Sequence, residues 1–195
     1  TGALREVTVD TTKKTLVVHD GSQAGGTPLM RESGGDVNAT INGVNVGKGA
    51  NSVAGNTVLG ETALDASVSG GNNTAIGKNA LGTNTSGAEN VAVGTGALDA
   101  NTTASFNTAV GYNALATNTT GADNTAVGRA ALFSNTGSNN TAVGKEALKI
   151  NTSGSNTTAV GRAALLVNTT GESNTALGSS ALQSNTTADN NTAVG

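Results

Sequence analysis

The string Gly111-Tyr-Asn-Ala-Leu-Ala-Thr-Asn-Thr-Thr-Gly-Ala-Asp-Asn-Thr-Ala-Val127 decides how this chain folds, because it recurs. Each copy opens on a glycine, at Gly60, Gly77, Gly94, Gly111, Gly128, Gly144, Gly161 and Gly178, and a ninth such glycine is Gly195. The spacing is 17 residues, except for one step of 16 between Gly128 and Gly144. The eight units follow G-x-x-A-L-x-x-N-T-(T/S)-(G/A)-x-x-N-T-A-V, with the leucine at Leu64, Leu81, Leu98, Leu115, Leu132, Leu148, Leu165 and Leu182. The N-T step is present in all but the first, where Ser67-Val68 replaces it. The short unit loses its residue in the turn Asn135-Thr136-Gly137, where a deletion costs least.

A period of 17 is too short for two-helix repeats or propeller blades, and glycine does not fall at every third residue as collagen requires. Asn, Thr and Gly are also weak helix formers. Thr108-Ala109-Val110-Gly111 alternates as a strand does, with Thr and Val on one face and Ala and Gly on the other. The N-T-T-G cluster reads as a turn, since Asn tolerates left-handed backbone angles and Gly adopts them freely. Each unit is thus one coil: a short strand, a bend, a second short segment at Ala-Leu, and a turn. Stacked coils make an all-β parallel β-roll or β-solenoid. Neighbouring coils lie ~4.8 Å apart, so each repeat position sits above itself and forms ladders of Val, Leu or Asn along the axis.

Composition agrees. Thr, Ala, Gly and Asn make up 58% of the 195 residues, and the chain has two Phe, one Tyr and no Trp. That excludes a globular core with aromatic anchors. A disordered linker would share the composition but not the phase. The expected core of a coil is one Val-type residue, one Leu and two Ala, which is lean for 17 ordered residues. We read this as a sign that further apolar surface is buried between chains.

The repeat resembles the N-T-A-(V/I/L)-G repeats of bacteriophage tail fibres and other long surface fibres, and is similar to the head repeats of bacterial trimeric autotransporter adhesins. The resemblance spans about Asn56 to Gly195 and implies a homotrimeric fibre. The fixed Ala-Leu pair and the longer N-T-T-G turn depart from the adhesin pattern.

Residues 1–31 read as a small β-hairpin module. Leu4–Asp10 and Thr15–Gly21 are strand-like around the polar Thr-Thr-Lys-Lys14, and Ser22 to Leu29 reads as loop. This stretch resembles a short module of phage tail-fibre proteins. Residues 32–55 form a transition in which Gly43, 17 before Gly60, marks a degenerate first coil that caps the stack. Residues 56–195 form the shaft. The chain opens without Met or a signal-peptide pattern and stops inside the motif, which reads as a piece of something longer.

The candidate chemistry is sparse. Ten Lys and Arg against thirteen Asp and Glu leave no electrostatic footprint for nucleic acid, and no run approaches the ~20 apolar residues of a spanning helix. There is no cysteine, and the calcium-binding nonapeptide and phosphate-loop patterns are absent, so neither metal nor cofactor is expected. His19 and Asp20 would point to opposite faces of a strand and cannot form a dyad there. No catalytic residue is expected and the chain reads as no enzyme. Sequons such as Asn118-Thr119-Thr120 read as turn chemistry rather than glycosylation sites. The most variable position follows each glycine. Lys78, Tyr112, Arg129, Lys145 and Arg162, with Glu61, Thr95 and Ser179, would line one stripe, read as a solvated face or, alternatively, a receptor contact.

Three functions compete. The first is the structural shaft of a phage tail fibre in the virion, joined to other tail or baseplate proteins and supporting attachment to a host receptor. The second is the head of a bacterial trimeric surface adhesin. The third is an ice-binding solenoid, which needs a uniform exposed Thr face on a monomer. A fibre-borne polysaccharide hydrolase would need a carboxylate pair that no cluster here supplies.

Overall fold

A computed structural model describes residues 6–10, 15–19, 27–31, 39–41, 44–66 and 68–195. Strands β1 (Glu6–Asp10), β2 (Thr15–His19) and β3 (Thr27–Arg31) form an antiparallel sheet in that order, with Glu6 opposite His19 and Thr15 opposite Arg31. The expected hairpin is therefore extended by a third strand. Thr27, Pro28 and Leu29, read from sequence as loop, belong to it, and the register shifts between Leu16 and Val17 where Pro28 pairs. Proline has no N–H to give a ladder, which suits it to an edge strand such as β3. The expected turn at 11–14, and Asp20, lie outside the described residues.

An 11-stranded sheet carries the rest of the chain. It begins with β4 (Ala39–Ile41) and β5 (Val44–Gly47), which pair antiparallel with each other, and β5 pairs antiparallel with β6 (Thr57–Gly60). From β6 onward every pairing is parallel: β7 (Thr74–Ile76), β8 (Val91–Val93), β9 (Thr108–Val110), β10 (Thr125–Val127), then β12 (Thr141–Val143), β14 (Thr158–Val160), β15 (Thr175–Leu177) and β16 (Thr192–Val194), while the short β11 (Ser134–Asn135) and β13 (Ile150–Asn151) pair parallel with each other. Each Thr pairs with the Thr one unit on, as Thr108 does with Thr125, and the 16-residue unit keeps the register by pairing Thr125 with Thr141. This is a parallel β-solenoid with nine stacked strands. At ~4.8 Å per step its eight intervals span about 38 Å.

Strands β4 and β5 lie where a degenerate first coil is expected to cap the stack. They pair antiparallel with each other, and β5 pairs antiparallel with the free edge of β6. Only the following stretch, through the single 3₁₀ turn Ala50–Ser52, behaves like a coil: the Ala50 N–H donates to the Leu64 carbonyl at 2.9 Å.

The core is leaner than expected, because the strand places its valine outward. Ala75, Ala92, Ala109, Ala126, Ala142, Ala159 and Ala176 face inward and are fully buried, as are the Ala-Leu pairs from Ala63-Leu64 to Ala164-Leu165. The Val-type residue assigned to the core points outward instead, exposed in most coils and half-buried at Val93 and Val160. Small alanines hold the two walls close, and the Leu ladder fills the remaining width. The space that a larger wall residue would take is filled by asparagine: Asn73, Asn84, Asn90, Asn101, Asn107, Asn118, Asn124, Asn140, Asn151, Asn168 and Asn174 are fully buried.

Two asparagine ladders make that burial tolerable, since buried amides must be hydrogen-bonded. In the ladder before the strand, the backbone N–H donates to the side-chain Oδ1 of the preceding Asn, as Asn90 to Asn73 at 2.9 Å and Asn107 to Asn90 at 3.0 Å, except at Asn174, where Thr157 precedes it. The Asn Nδ2 reaches forward to the turn carbonyl of the next coil, as Asn73 to Gly87 at 2.9 Å. In the ladder at the turn, each Nδ2 closes its own turn and also reaches the Oδ1 below, as Asn101 does to Ala104 O at 3.0 Å and to Asn84 Oδ1 at 2.8 Å. Asn135, in the shortened unit, closes its turn on Gly137, two residues on rather than three.

Left-handed residues occur where the sequence reading did not put them. The N-T-T-G turn does without them; it is held by the Asn side chain. They fall instead at the second residue after each glycine, at every leucine of the Ala-Leu pair, and just before the second Asn, as in Asn113 (φ 54°), Leu115 (φ 52°) and Asp123 (φ 58°). A left-handed leucine costs ~1–2 kcal/mol, so eight of them require a repeated return. Each leucine through Leu165 has its side chain fully buried and its N–H bonded to the alanine carbonyl of the next coil at 3.0 Å. The opening glycine is required outright. At Gly128 (φ +136°) a Cβ would lie 2.5 Å from the Gly144 carbonyl oxygen, because successive glycines stack backbone on backbone.

Candidate assembly and interaction surfaces

The outer face of the solenoid sheet follows from strand alternation. With Ala turned inward, Thr and the Val-type residue must point out. Parallel in-register stacking then aligns the outward aliphatics into one unbroken column: Leu59, Ile76, Val93, Val110, Val127, Val143, Val160, Leu177 and Val194. From Leu59 to Leu177 the exposed members are 36–47% accessible, with Val93 and Val160 half-buried. Beside it runs a column of Thr broken by Val91, so the face is neither uniform in Thr nor polar. A contiguous aliphatic column of this kind is a candidate interaction surface.

Lys78, Tyr112, Arg129, Lys145 and Arg162 are all exposed, as are Glu61, Thr95 and Ser179, and they stack at one corner of the coils. Ion pairs bridge successive coils there: Lys78 to Glu61 at 3.0 Å and Arg129 to Glu146 at 3.2 Å, with Lys149 3.9 Å from the same carboxylate. These are half-exposed pairs between long side chains and add little stability. The sixteen repeat positions, from Gly60 and Leu64 to Gly178 and Leu182, serve the core and the backbone stack, with Leu182 half-buried near the open end.

Two depressions lie along this corner. One, of about 320 Å³, is lined by Thr62, Asp65, Asn79, Thr83 and Asp99. The Thr62 hydroxyl donates to the Asn79 side-chain oxygen there, and burial pushes the Asp99 carboxyl above the usual carboxylate range. The other, of about 290 Å³, lies between Tyr112 and Phe133 and includes Arg129, Glu146 and Lys149. Sequence reasoning named Tyr112 and Arg129 but missed Phe133, Glu146 and Lys149. Their signal was present as departures from the repeat at the residue after leucine and the second residue after glycine.

The sequon asparagine Asn118 is fully buried, with Nδ2 donating to Gly121 O at 2.8 Å, so its amide is structural. His19 ends β2 opposite Glu6. Among the described residues there is no cluster of three or more His, Cys, Asp or Glu able to hold a metal, and no helix long and apolar enough to cross a membrane.

Comparison with known proteins adds evidence from the first residues. Residues 1–23 match the family described as the major tropism determinant N-terminal domain. A 31-residue stretch is 71% identical to the tail fiber receptor-binding protein of Bordetella phage BPP-1, covering 16% of this chain and 8% of that protein. The chain thus aligns with a small fraction of that relative's length. No solved structure matches the chain.

Proposed function

We propose that the chain is the shaft of a bacteriophage tail fibre, in which three copies pack along their aliphatic columns to form a stiff rod supporting attachment to the bacterial host. The observation that carries this reading is the unbroken column from Leu59 to Val194, which follows from a sequence that repeats one outward aliphatic per coil. A core of Ala, Leu and Asn leaves one chain little apolar burial of its own, and covering the column supplies what is missing. The order of three comes from the resemblance of the repeat to trimeric fibres. The virion setting is supported by the match of residues 1–23 and by the short, highly identical stretch shared with a phage tail fiber receptor-binding protein. The role is mechanical and needs no catalytic group or cofactor: interstrand and asparagine hydrogen bonds run along the axis, so bending breaks many at once. Other tail or baseplate proteins would hold the ends.

Sedimentation equilibrium of the 195-residue chain tests the reading. Three times the 18.8 kDa chain mass is expected, falling to the single-chain mass in the double variant Val110→Lys, Val127→Lys. A folded wild-type monomer overturns it.

A further inference from the structure

In a chain with only three aromatic residues, two line a single depression together with the Arg129–Glu146–Lys149 cluster. The repeat supplies an internal reference for what this place needs structurally. The position of Phe133 is held by Ala116 and Lys149 in the flanking coils, and that of Tyr112 by Thr95 and Arg129, so neither ring is required by the coil. Tyr112 is 56% exposed and Phe133 half-exposed, which offers ring surface to a ligand rather than to the core. Ala130 lines the depression between them with nothing taller than a methyl group. The charges are unbalanced: one carboxylate, Glu146, faces two cations, on a chain whose net charge is −3. Only one guanidinium nitrogen of Arg129 is engaged by Glu146, at 3.2 Å, which leaves donors for a second, incoming carboxylate.

We propose that this depression is a binding site for an acidic sugar unit of a polysaccharide. The apolar C–H face of a pyranose would lie against the Tyr112 and Phe133 rings, and its carboxylate would sit between Arg129 and Lys149. All five side chains come from three successive coils of one chain, so the site does not depend on the chain being trimeric. It would give the shaft a lateral hold on surface glycan, distinct from any receptor contact at a fibre tip.

The chain provides its own reporter, since Tyr112 is its only tyrosine and it has no tryptophan. Tyrosine emission of the full 195-residue chain is followed during titration with trigalacturonic acid and, separately, with uncharged maltotriose. A saturable change with the acidic trisaccharide is expected, with maltotriose at least about tenfold weaker. Arg129→Thr and Phe133→Ala, which copy residues found at the same positions of other coils, should each weaken binding about tenfold or more. Lys78→Thr, at the same repeat position three coils away from Arg129, should leave it unchanged. No saturable response to the acidic sugar overturns the site, as does equal weakening by Lys78→Thr, which would reduce the effect to diffuse attraction. Sedimentation of the same samples separates this outcome from failure of the trimer.

Discussion

Thr157 is the one place in the ladder before the strand, from Asn56 to Asn191, where threonine replaces asparagine, and changing it should stabilise the protein. In the neighbouring coils the Asn at this position accepts from the next coil's backbone N–H and donates to a turn carbonyl, as Asn140 does with Thr157 N at 3.0 Å and Gly154 O at 2.9 Å. Thr157 is fully buried and turns its hydroxyl back to Ser155 O at 3.2 Å. It has no oxygen placed for the Asn174 N–H. The Gly171 carbonyl consequently receives only the Asn168 amide, where Gly87 receives both Asn73 and Asn84. Thr157→Asn therefore gains two buried hydrogen bonds and loses one, together with a buried methyl. At about 1 kcal/mol per net bond, and 1–3 kcal/mol for satisfying a buried orphan donor, the balance is about 1–2 kcal/mol of stabilisation. For a chain of this length that raises Tm by roughly 2–8 °C. The assay is thermal unfolding by circular dichroism at matched chain concentration, with Asn140→Thr as the reverse substitution, expected to lower Tm by a similar amount. A Thr157→Asn variant no more stable than the parent would refute the argument that the amide ladder, rather than apolar burial alone, holds adjacent coils together.

Leu115→Ala removes the largest fully buried side chain of its coil and should cost about 2–5 kcal/mol, read from the urea midpoint. Gly128→Ala places a Cβ 2.5 Å from the Gly144 carbonyl oxygen at a φ of +136° and should lower Tm by more than the leucine change, or prevent folding; a silent substitution would contradict the glycine stack. Asp99 has its carboxyl pushed up by burial, so the folded chain binds that proton more tightly than the unfolded one. The stability it contributes is full below the unfolded pKa and is lost as pH rises through the folded value. Asp99→Asn should thus be more stable than the parent at pH 7, with the difference vanishing near pH 3 in paired melts.

The extent to which the fold was legible depends on the kind of regularity involved. Phase is a one-dimensional property, so Gly111 and its counterparts located every coil, and Thr108-Ala109-Val110 alternated plainly enough to give a strand and its two faces. Which face met the core was harder. Val110 is more hydrophobic than Ala109, and hydrophobicity argued for burying it. The inward position, filled by Val58 in the first strand and by alanine from Ala75 to Ala176, is set by the packing of the whole coil rather than by the hydrophobicity of single residues. The same limit explains the depression at Tyr112 and Phe133. These residues are 21 positions apart, and only stacking with a 17-residue pitch brings them to one corner.

The sequence by itself determined the period, the parallel stack, the asparagine ladders and the stripe after each glycine, because a repeated string must place like above like. Tertiary structure alone decided that valine faces out and asparagine in, that leucine rather than the turn glycine takes the left-handed backbone, and that β4 and β5 cap the stack antiparallel. These depend on how two walls of one coil fit and on what the free edge of β6 can pair with. Both are distances between residues that no local pattern encodes.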